Sequence, residues 1–461
     1  MPDYNPAMPL SIVGGRSSNR PIFEGRTGRR WTALLLLGVF APALVAFGIL
    51  YRQSLTVPYL DDYDAIVAFA IDYEESPGFG PKLLEIAAKQ HTQYKLIFAN
   101  SVVAAELEFT HHLNFTFLTV LGDLFLLPTG FLLWKTYGGG AGDLNRRLME
   151  FLPVSIVFFS LAYWETLNWA LGELQNTPVI FFSLLAIYLL VGKGSPAAGV
   201  RLFFACLAAA LAAFTLANGF LLGPVGLLFL VPRRAYAASL AWSASFILPL
   251  LPYLYRYTPT TLPDFVVGKA LFLSRFLVFL AFFGCAVANR WVAAILGVVI
   301  LAIVVIAVRS RYDRSNPVAL YFTMWVVVTG MVVGWGRGGM GFWTTSRYSV
   351  YSCLVLIFCY SFLAWYLPRR SPNFRRGRFY VTSMVIAASL WLFADGDANW
   401  NLKERRRMVL AGIENYRIDP RNNSPLNVPL YPGLVVNEKE LEQAVLTKAI
   451  ERGIYALPQR Q

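Results

Sequence analysis

Apolar runs of about 15 to 22 residues recur along the chain between short polar segments, which is the pattern of helices that cross a bilayer. The pattern predicts an all-α polytopic membrane protein with about eleven transmembrane helices. It divides the chain into a disordered cytoplasmic N-terminus (1–30), a transmembrane domain (31–394) and a small extracytoplasmic C-terminal segment (395–461).

The polar segment after the first apolar run, residues 51–113, is long enough to hold structure of its own. Residues 81–90 and 94–107 are apolar on one side and charged on the other, which predicts two helices lying along the membrane surface. His91 and Lys95 are four residues apart between them, so a helical turn would place both on one face. We expect this first outer loop to carry chemistry.

Forty Lys and Arg against 27 Asp and Glu give the chain a net charge of +13. Many of the cations lie in short loops, as the positive-inside rule requires. The positive charge therefore reflects the topology of a protein whose partner is a lipid bilayer, and binding to nucleic acid is not expected. The rule predicts a multi-pass protein of the plasma (bacterial inner) membrane, with a cytoplasmic N-terminus and an extracytoplasmic C-terminus. Asp123 then lies inside the second span, where a carboxylate is expected to be functional or paired.

Residues 266–288 are apolar enough to cross the membrane but contain Lys269 and Arg275. If they crossed, the arginine-rich loops around Arg311 and Arg376 would both lie outside, against the positive-inside rule. We therefore predict that 266–288 is re-entrant or surface-lying on the outer side.

The four cysteines lie in apolar stretches without ligand-like spacing, and the three histidines form no HxxxH or HExxH pair. A disulfide framework is therefore not expected, and no metal site is predicted.

The stretch 57–65, VPYLDDYDA, follows the first span by about seven residues and carries Asp61, Asp62 and Asp64. Carboxylates are costly in hydrocarbon, so this acidic motif must lie at the membrane surface, close to the headgroups. It is either a solvated acidic loop or a site for chemistry on a lipid-linked substrate.

The predicted topology gathers further polar residues at the same face. They are carboxylates, cations and hydrogen-bonding rings: Asp61, Asp62, His91, Lys95, Glu165, Glu173, Arg337, Arg347 and Tyr348. A carboxylate opposite a cationic phosphate site suits group transfer from a phosphorylated lipid, because the carboxylate accepts a proton and the cations hold the departing phosphate. The glycines around Arg337 are expected to let backbone amides approach that anion. The alternative is that these charges only pair with one another.

The layout resembles the GT-C superfamily of membrane glycosyltransferases, which use polyprenyl-phosphate sugars. Members share an acidic motif in the first outer loop, two surface helices and a helical bundle. More closely, the chain resembles bacterial membrane proteins of this class that carry four motifs. Here these motifs read PYLDDYD (58–64), HTQYK (91–95), WETLNWALGELQ (164–175) and SRY (346–348).

The resemblance implies an inverting glycosyltransferase that moves a sugar from a polyprenyl-phosphate carrier to a cell-envelope glycan or lipid at the outer face. Asp61 is expected to be the base, with Asp62 fixing the loop. Arg337, Arg347 and Lys95 are expected to bind the donor phosphate. The remaining substrate-binding residues are expected to be His91, Tyr348, Glu165 and Glu173.

No cofactor is expected with a monophosphate donor, whereas a pyrophosphate donor would bring a divalent cation to Asp61 and Asp62. Two alternatives remain open. One is a transporter or flippase for lipid-linked sugars, and the other is a glycan polymerase or ligase that uses polyprenyl-pyrophosphate oligosaccharides.

Overall fold

The computed structural model describes residues 26–138, 143–192, 199–259, 266–287, 289–342, 346–420 and 436–458. Within them, nine helical segments are long and apolar enough to cross a membrane: Arg29–Gln53, Phe115–Tyr137, Leu144–Leu167, Ala170–Val191, Tyr236–Leu254, Arg290–Arg309, Pro317–Met340, Ser346–Arg370 and Arg376–Ile418. The protein is therefore a polytopic α-helical membrane protein, as predicted. The prediction of a disordered N-terminus falls mostly on 1–25, which lie outside the described residues.

Two shorter apolar helices, Gly199–Thr215 and Ala217–Arg233, lie between the fourth and fifth of these segments. The predicted eleven crossings would require both of them to cross as well. That number stays a prediction, as does the GT-C-like arrangement.

The bundle has two ends, which we call the loop end and the opposite end. The loop end carries residues 54–114, and Ala170–Val191 begins there, because the Leu171 N–H donates to Asp62. The same helix ends at the opposite end, where Tyr188 and Arg201 line one cavity with residues from several interhelical loops.

The helix Lys269–Gly284, which we call the lateral helix, contacts the loop end at both of its own ends. Near its start, the Ser274 hydroxyl donates to the Gly338 carbonyl at 2.7 Å. Just past its end, the Ser349 hydroxyl donates to the Cys285 carbonyl at 2.7 Å. The lateral helix therefore does not carry the chain to the opposite end, which is the arrangement that the arginine distribution predicts.

The loop between the first two spans holds more structure than the two predicted helices. Its helical segments are Tyr63–Val67 (a π-helix), Ala68–Glu75, Phe79–Ala88 and Ile97–Thr110. Between the last two lies an antiparallel hairpin of two strands, Gln90–His91 and Tyr94–Lys95, which we call the site hairpin.

The prediction that His91 and Lys95 share a helical face is wrong. His91 pairs with Tyr94 and Gln90 pairs with Lys95 across the site hairpin, so successive side chains alternate between its faces. The chain reverses at Thr92, whose φ of 47° is left-handed and incompatible with a continuing helix. His91 and Lys95 therefore point to opposite faces.

The helix Arg376–Ile418, which we call the long helix, continues unbroken past residue 394, where the last span was expected to end. With 43 residues it is about 65 Å long, roughly twice the thickness of a hydrocarbon core. The final helix, Val436–Glu451, packs back onto the first loop, where Lys448 and Arg452 pair with Glu75 at 2.6 and 2.8 Å.

We expect Gly297→Ala to lower the free energy of unfolding by about 1–3 kcal/mol, because a Cβ there would lie 1.9 Å from the Leu280 carbonyl oxygen of the lateral helix. Gly336→Ala is the control, since nothing lies within 4 Å of its Cβ position. Thermal unfolding of the detergent-solubilised protein measures both. Equal stability of the two variants would contradict the packing of the lateral helix on Arg290–Arg309.

Candidate functional site

The acidic motif of the first loop holds His91 between two carboxylates. The His91 Nδ1 lies 2.9 Å from Asp64 Oδ2, and its Nε2 lies 3.5 Å from Asp61 Oδ2. Asp61 and Asp64 reach the same ring because the helical turn that starts there places residues three apart on one side. The site hairpin brings the ring to them, so two segments 27 residues apart share one ionic cluster.

The charges of His91 and Asp61 stabilise each other. Burial alone would lower the pKa of His91, but its hydrogen bonds to Asp61 and Asp64 and their negative charges raise the pKa to about 9. Burial alone would raise the pKa of Asp61, but the hydrogen bond and charge of His91, then the charges of Arg347 and Arg337, hold that pKa below its usual value. At neutral pH His91 is therefore an imidazolium beside the ionised carboxylate of Asp61.

Asp62, adjacent to Asp61, points away from this cluster and is almost fully buried. Its carboxylate accepts the backbone N–H of Tyr59 and of Leu171, each at 2.9 Å. Burial raises the pKa of Asp62 to about 7, although these two hydrogen bonds and the charge of Arg405 oppose the rise. Asp62 thus fixes the loop to the start of a span, which is the role expected of the second member of the pair.

Arg405 of the long helix lies behind Asp62, with its guanidinium carbon 3.4 Å from the centre of the Tyr59 ring. Its two terminal nitrogens are buried and have no hydrogen-bond partner among the described residues. They border a cavity of about 30 Å³ that Asp62 also lines, enough for one or two water molecules and too small for a sugar. This cavity lies on the side of the loop that packs against the long helix.

Arg337 and Arg347 lie on the side of the loop that carries Asp61, and their charges lower the pKa of Asp61. The Arg347 guanidinium lies 5.5 Å from the Trp169 ring, a cation–π arrangement. The Arg337 guanidinium contacts the Met340 sulfur at 3.9 Å and forms no ion pair with a carboxylate of the described residues. Both arginines thus lie at the same end of the bundle as the acidic motif, as the predicted topology requires, and their binding of a phosphate stays a prediction.

Tyr94 closes the cluster from the site hairpin. Its hydroxyl donates to Gln175 Oε1 at 3.3 Å. Burial raises the pKa of Tyr94 most, and Asp61 raises it further, whereas Arg337 and Arg347 lower it. The Tyr94 phenol is therefore a neutral hydrogen-bonding group beside the carboxylate and the two cations.

The predicted residues Glu165 and Tyr348 lie at the edge of the same region. Glu165 Oε2 accepts a hydrogen bond from the Ser346 hydroxyl at 2.6 Å, which joins the WETLNW turn to the SRY segment. The Tyr348 ring packs against Phe282 of the lateral helix, with ring centres 5.8 Å apart. Both residues position the segment that carries Arg347.

Lys95 is not brought to the site, contrary to the expectation that it binds the donor phosphate. It is almost fully buried, and its ammonium donates to the backbone carbonyls of Ala88 and Tyr255. An ammonium held by two carbonyls on the far face of the site hairpin ties the hairpin to the chain after the fifth span. Its role in the structure is therefore to support the hairpin.

Glu173 is also not brought to the site, contrary to the expectation that it binds substrate. It is fully buried one turn inside its helix, where its Oε2 accepts from the Thr177 hydroxyl at 2.7 Å. Its neighbour is Asp123 of the second span, and neither Asp123 Oδ1 nor Glu173 Oε1 has a hydrogen-bond partner among the described residues. Gly122 permits this close approach, since a Cβ there would lie 2.6 Å from that of Glu173. The buried neighbour of Asp123 is thus another acid, and its expected functional or paired role stays a prediction.

Two of the glycines near Arg337 have a packing role. A Cβ at Gly338 would lie 2.4 Å from the Arg275 Cα, and one at Gly334 would lie 2.7 Å from the Phe279 Cβ. Both positions are glycine because the lateral helix packs directly on this backbone. The approach of backbone amides to an anion at the other glycines, such as Gly336 and Gly341, stays a prediction.

Sequence reasoning missed the parts of Asp64, Tyr94, Trp169 and Arg405 in this region. Asp64 could have been found, because it lies three residues after Asp61 and a helical turn brings such residues together. Tyr94 and Trp169 lie within the HTQYK and WETLNWALGELQ motifs, but their contacts with Gln175 and Arg347, and that of Arg405 with Tyr59, join distant segments that no local pattern relates. No group of three or more His, Cys, Asp or Glu among the described residues is arranged to hold a metal ion.

Comparisons with known families, characterised proteins and solved structures found no match to this chain. The case for a function therefore depends on the geometry of the cluster around Asp61.

We expect His91→Gln to remove a pH-dependent part of the stability. Folding raises the His91 pKa from its usual value of about 6.5 to about 9. The charged imidazolium therefore contributes its full stabilisation of the folded protein below pH 6.5. This contribution is lost as the pH rises through 9. The difference in unfolding free energy between parent and variant should therefore shrink between pH 6.5 and 9, by at most about 3 kcal/mol. Solvent screening makes the change smaller than this limit, because both carboxylates are partly exposed. Unfolding in detergent between pH 6 and 10 measures it.

The control is His111→Gln, an exposed histidine at the end of the helix Ile97–Thr110. A parent-minus-variant difference that is flat with pH for His91→Gln would show that the imidazolium is not held by the two carboxylates.

Proposed function

We propose that this protein is an inverting glycosyltransferase that moves a sugar from a polyprenyl-phosphate carrier to a cell-envelope glycan or lipid. The observation that carries the proposal is the position of Asp61, an ionised carboxylate facing Arg337 and Arg347 at one end of a membrane bundle. Transfer from a phosphorylated lipid needs a base and a phosphate site in one region, and the charges of both arginines act on Asp61. The resemblance to GT-C enzymes in the acidic and SRY motifs supports the same proposal.

In the proposed reaction, a hydroxyl oxygen of the acceptor attacks the anomeric carbon of the donor sugar. The new carbon–oxygen bond forms as the bond to the phosphate oxygen breaks, and that bond's electron pair leaves with polyprenyl phosphate. Asp61 accepts the hydroxyl proton, and the configuration at the anomeric carbon inverts. Arg337 and Arg347 neutralise the leaving phosphate with charge-assisted hydrogen bonds.

The other residues have supporting parts in this proposal. His91 holds Asp61 ionised and oriented, so that the carboxylate is directed at the acceptor. Tyr348 and Glu165 order the SRY segment, and with Trp169 they offer an aromatic and polar edge to a sugar. The site would face the outside of the bacterial inner membrane. A pyrophosphate donor would add a divalent cation, and EDTA sensitivity of the activity would indicate one.

A transporter of lipid-linked sugars is the second candidate, and one observation favours it. Asp123 and Glu173 form a buried acidic pair inside the bundle, where ionisable groups often mark transport pathways. Release of polyprenyl phosphate from donor by purified protein in detergent, where no transport exists, distinguishes transfer from transport. A parent protein that releases none from any donor and acceptor tested would count against the proposed transfer.

Asp61→Asn should lower turnover by about 10² to 10⁴, because the amide keeps the shape of the side chain but accepts no proton. The measurement is release of polyprenyl phosphate, followed by mass spectrometry, from a mixture of polyprenyl-phosphate hexoses and pentoses with envelope glycan as acceptor. Asp72→Asn is the matched control, since Asp72 lies on the same loop and pairs with Lys89 at 2.7 Å. Near-parental turnover in Asp61→Asn would exclude Asp61 as the base.

Arg337→Ala should weaken the binding of polyprenyl phosphate by roughly 10- to 100-fold, since it removes charge-assisted hydrogen bonds to the phosphate. Arg337→Lys should keep part of the affinity because the charge remains while the two-pronged geometry is lost. The control is Arg256→Ala, an exposed arginine at the same end of the bundle. Equilibrium binding of polyprenyl phosphate alone measures all three, and parental affinity in Arg337→Ala would contradict the assignment.

A further inference from the structure

A second cationic region lies at the opposite end of the bundle, one membrane thickness away from Asp61. The helix Ser349–Arg370 links the two, because it begins beside Arg347 and ends with Arg369 in the wall of a cavity. Its 22 residues span about 33 Å, close to the thickness of a hydrocarbon core. The cavity has a volume of about 820 Å³, within the range of ligand sites. We call it the basic cavity.

The described residues that line the basic cavity carry five cations and one carboxylate, a net charge of +4. The cations are Lys135, Arg146, Arg201, Arg369 and Arg376, and the carboxylate is Glu150. These residues come from five different helices, so the charge is concentrated by the fold and is not a run in the sequence.

Glu150 is already engaged, so it does not neutralise the rest of the cavity. Its Oε1 pairs with Arg146 Nε at 2.8 Å and accepts the Tyr380 hydroxyl at 3.0 Å. Lys135 and Arg376 have no carboxylate partner among the described residues. Arg369 donates one N–H to the Trp365 carbonyl at 2.7 Å, which leaves other donors of its guanidinium. Like charges held together in this way favour a bound anion with more than one negative charge.

The surroundings favour a lipid as the source of that anion. Tyr188, Tyr360 and Trp365 line the cavity at the ends of spans, the depth at which aromatic residues meet lipid headgroups. Below Lys135 on the same helix face, Phe131 and Leu127 expose 58% and 48% of their surface. A headgroup at Lys135 would therefore leave its acyl chains on an apolar helix face.

We propose that the basic cavity binds the headgroup of an anionic phospholipid with two phosphates, for which cardiolipin is the probe. The site is separate from the Asp61 cluster and does not depend on the proposed glycosyl transfer. Basic pockets between spans on one face of a bundle are suited to such headgroups. Bound lipid would bridge the ends of the spans that form the wall.

Binding is measured on the full chain in detergent by native mass spectrometry and by the shift of the melting temperature. The ligands are cardiolipin, phosphatidylglycerol, phosphatidylcholine and inorganic phosphate. We expect cardiolipin to bind most tightly, phosphatidylglycerol more weakly and phosphatidylcholine weakest. Cardiolipin affinity should fall steadily with added salt, as charge pairing at an accessible site requires.

The variant is Lys135→Gln with Arg376→Gln, which should weaken cardiolipin binding by about thirty-fold, or about five-fold for each cation removed. The matched control is Arg309→Gln with Arg378→Gln, which removes the same charge from exposed arginines at the same end that do not line the cavity. The control pair should bind cardiolipin within about two-fold of the parent.

Four results would overturn the proposal. The first is parental cardiolipin affinity in the Lys135→Gln, Arg376→Gln variant, and the second is an equal loss of affinity in this variant and in the control pair. The third is binding of phosphatidylcholine as tight as that of cardiolipin. The fourth is binding of inorganic phosphate as tight as that of cardiolipin, which would identify free phosphate as the ligand. If the first pair does not fold, the salt dependence of the parent decides, because salt-independent cardiolipin binding contradicts a cationic site.

Discussion

The two hydrogen bonds that Asp62 accepts from backbone N–H groups hold the candidate site in place. One comes from its own turn, at Tyr59, and the other from Leu171, at the start of a span. This carboxylate is buried, and its stabilisation by backbone donors ties a polar loop to the rigid bundle. Asp61, the next residue, is thereby turned to the other side, toward His91 and the two arginines. The turn is also held by burial of Tyr63, Ile66 and Val67 in the packing of the loop, but these apolar contacts do not set the direction of Asp61.

Much of the fold could be predicted from the sequence because its dominant signal is simple. Apolar runs of span length predicted the transmembrane helices. The distribution of arginines predicted that the lateral helix does not cross to the opposite end of the bundle. The end of the last span was not predictable in this way. The helix continues past residue 394 because its polar outer half still packs on the first loop, with Leu402, Val409 and Ile413 buried. Hydropathy marks the edge of the membrane and not the end of a helix.

The site was predictable only in part, and for a similar reason. The membrane confines charges to two faces, so assigning Asp61, Arg337 and Arg347 to one face needed only the topology. The side-chain directions within that face depend on contacts between distant segments. Thr92 reverses the chain and sends Lys95 away from His91, and the tight packing of Gly122 on Glu173 draws that acid into the bundle. Neither contact leaves a local pattern in the sequence.

The long helix acts as a stiff strut, because a continuous helix of 43 residues has no joint between its apolar and polar halves. Its apolar half must adjust its tilt to the thickness of the surrounding bilayer. The polar half belongs to the same continuous helix, and its Arg405 lies against Tyr59 at the foot of the acidic turn. One helix therefore joins the hydrocarbon region of the bilayer to the acidic turn, so the thickness of the membrane is a variable to control when the site is assayed.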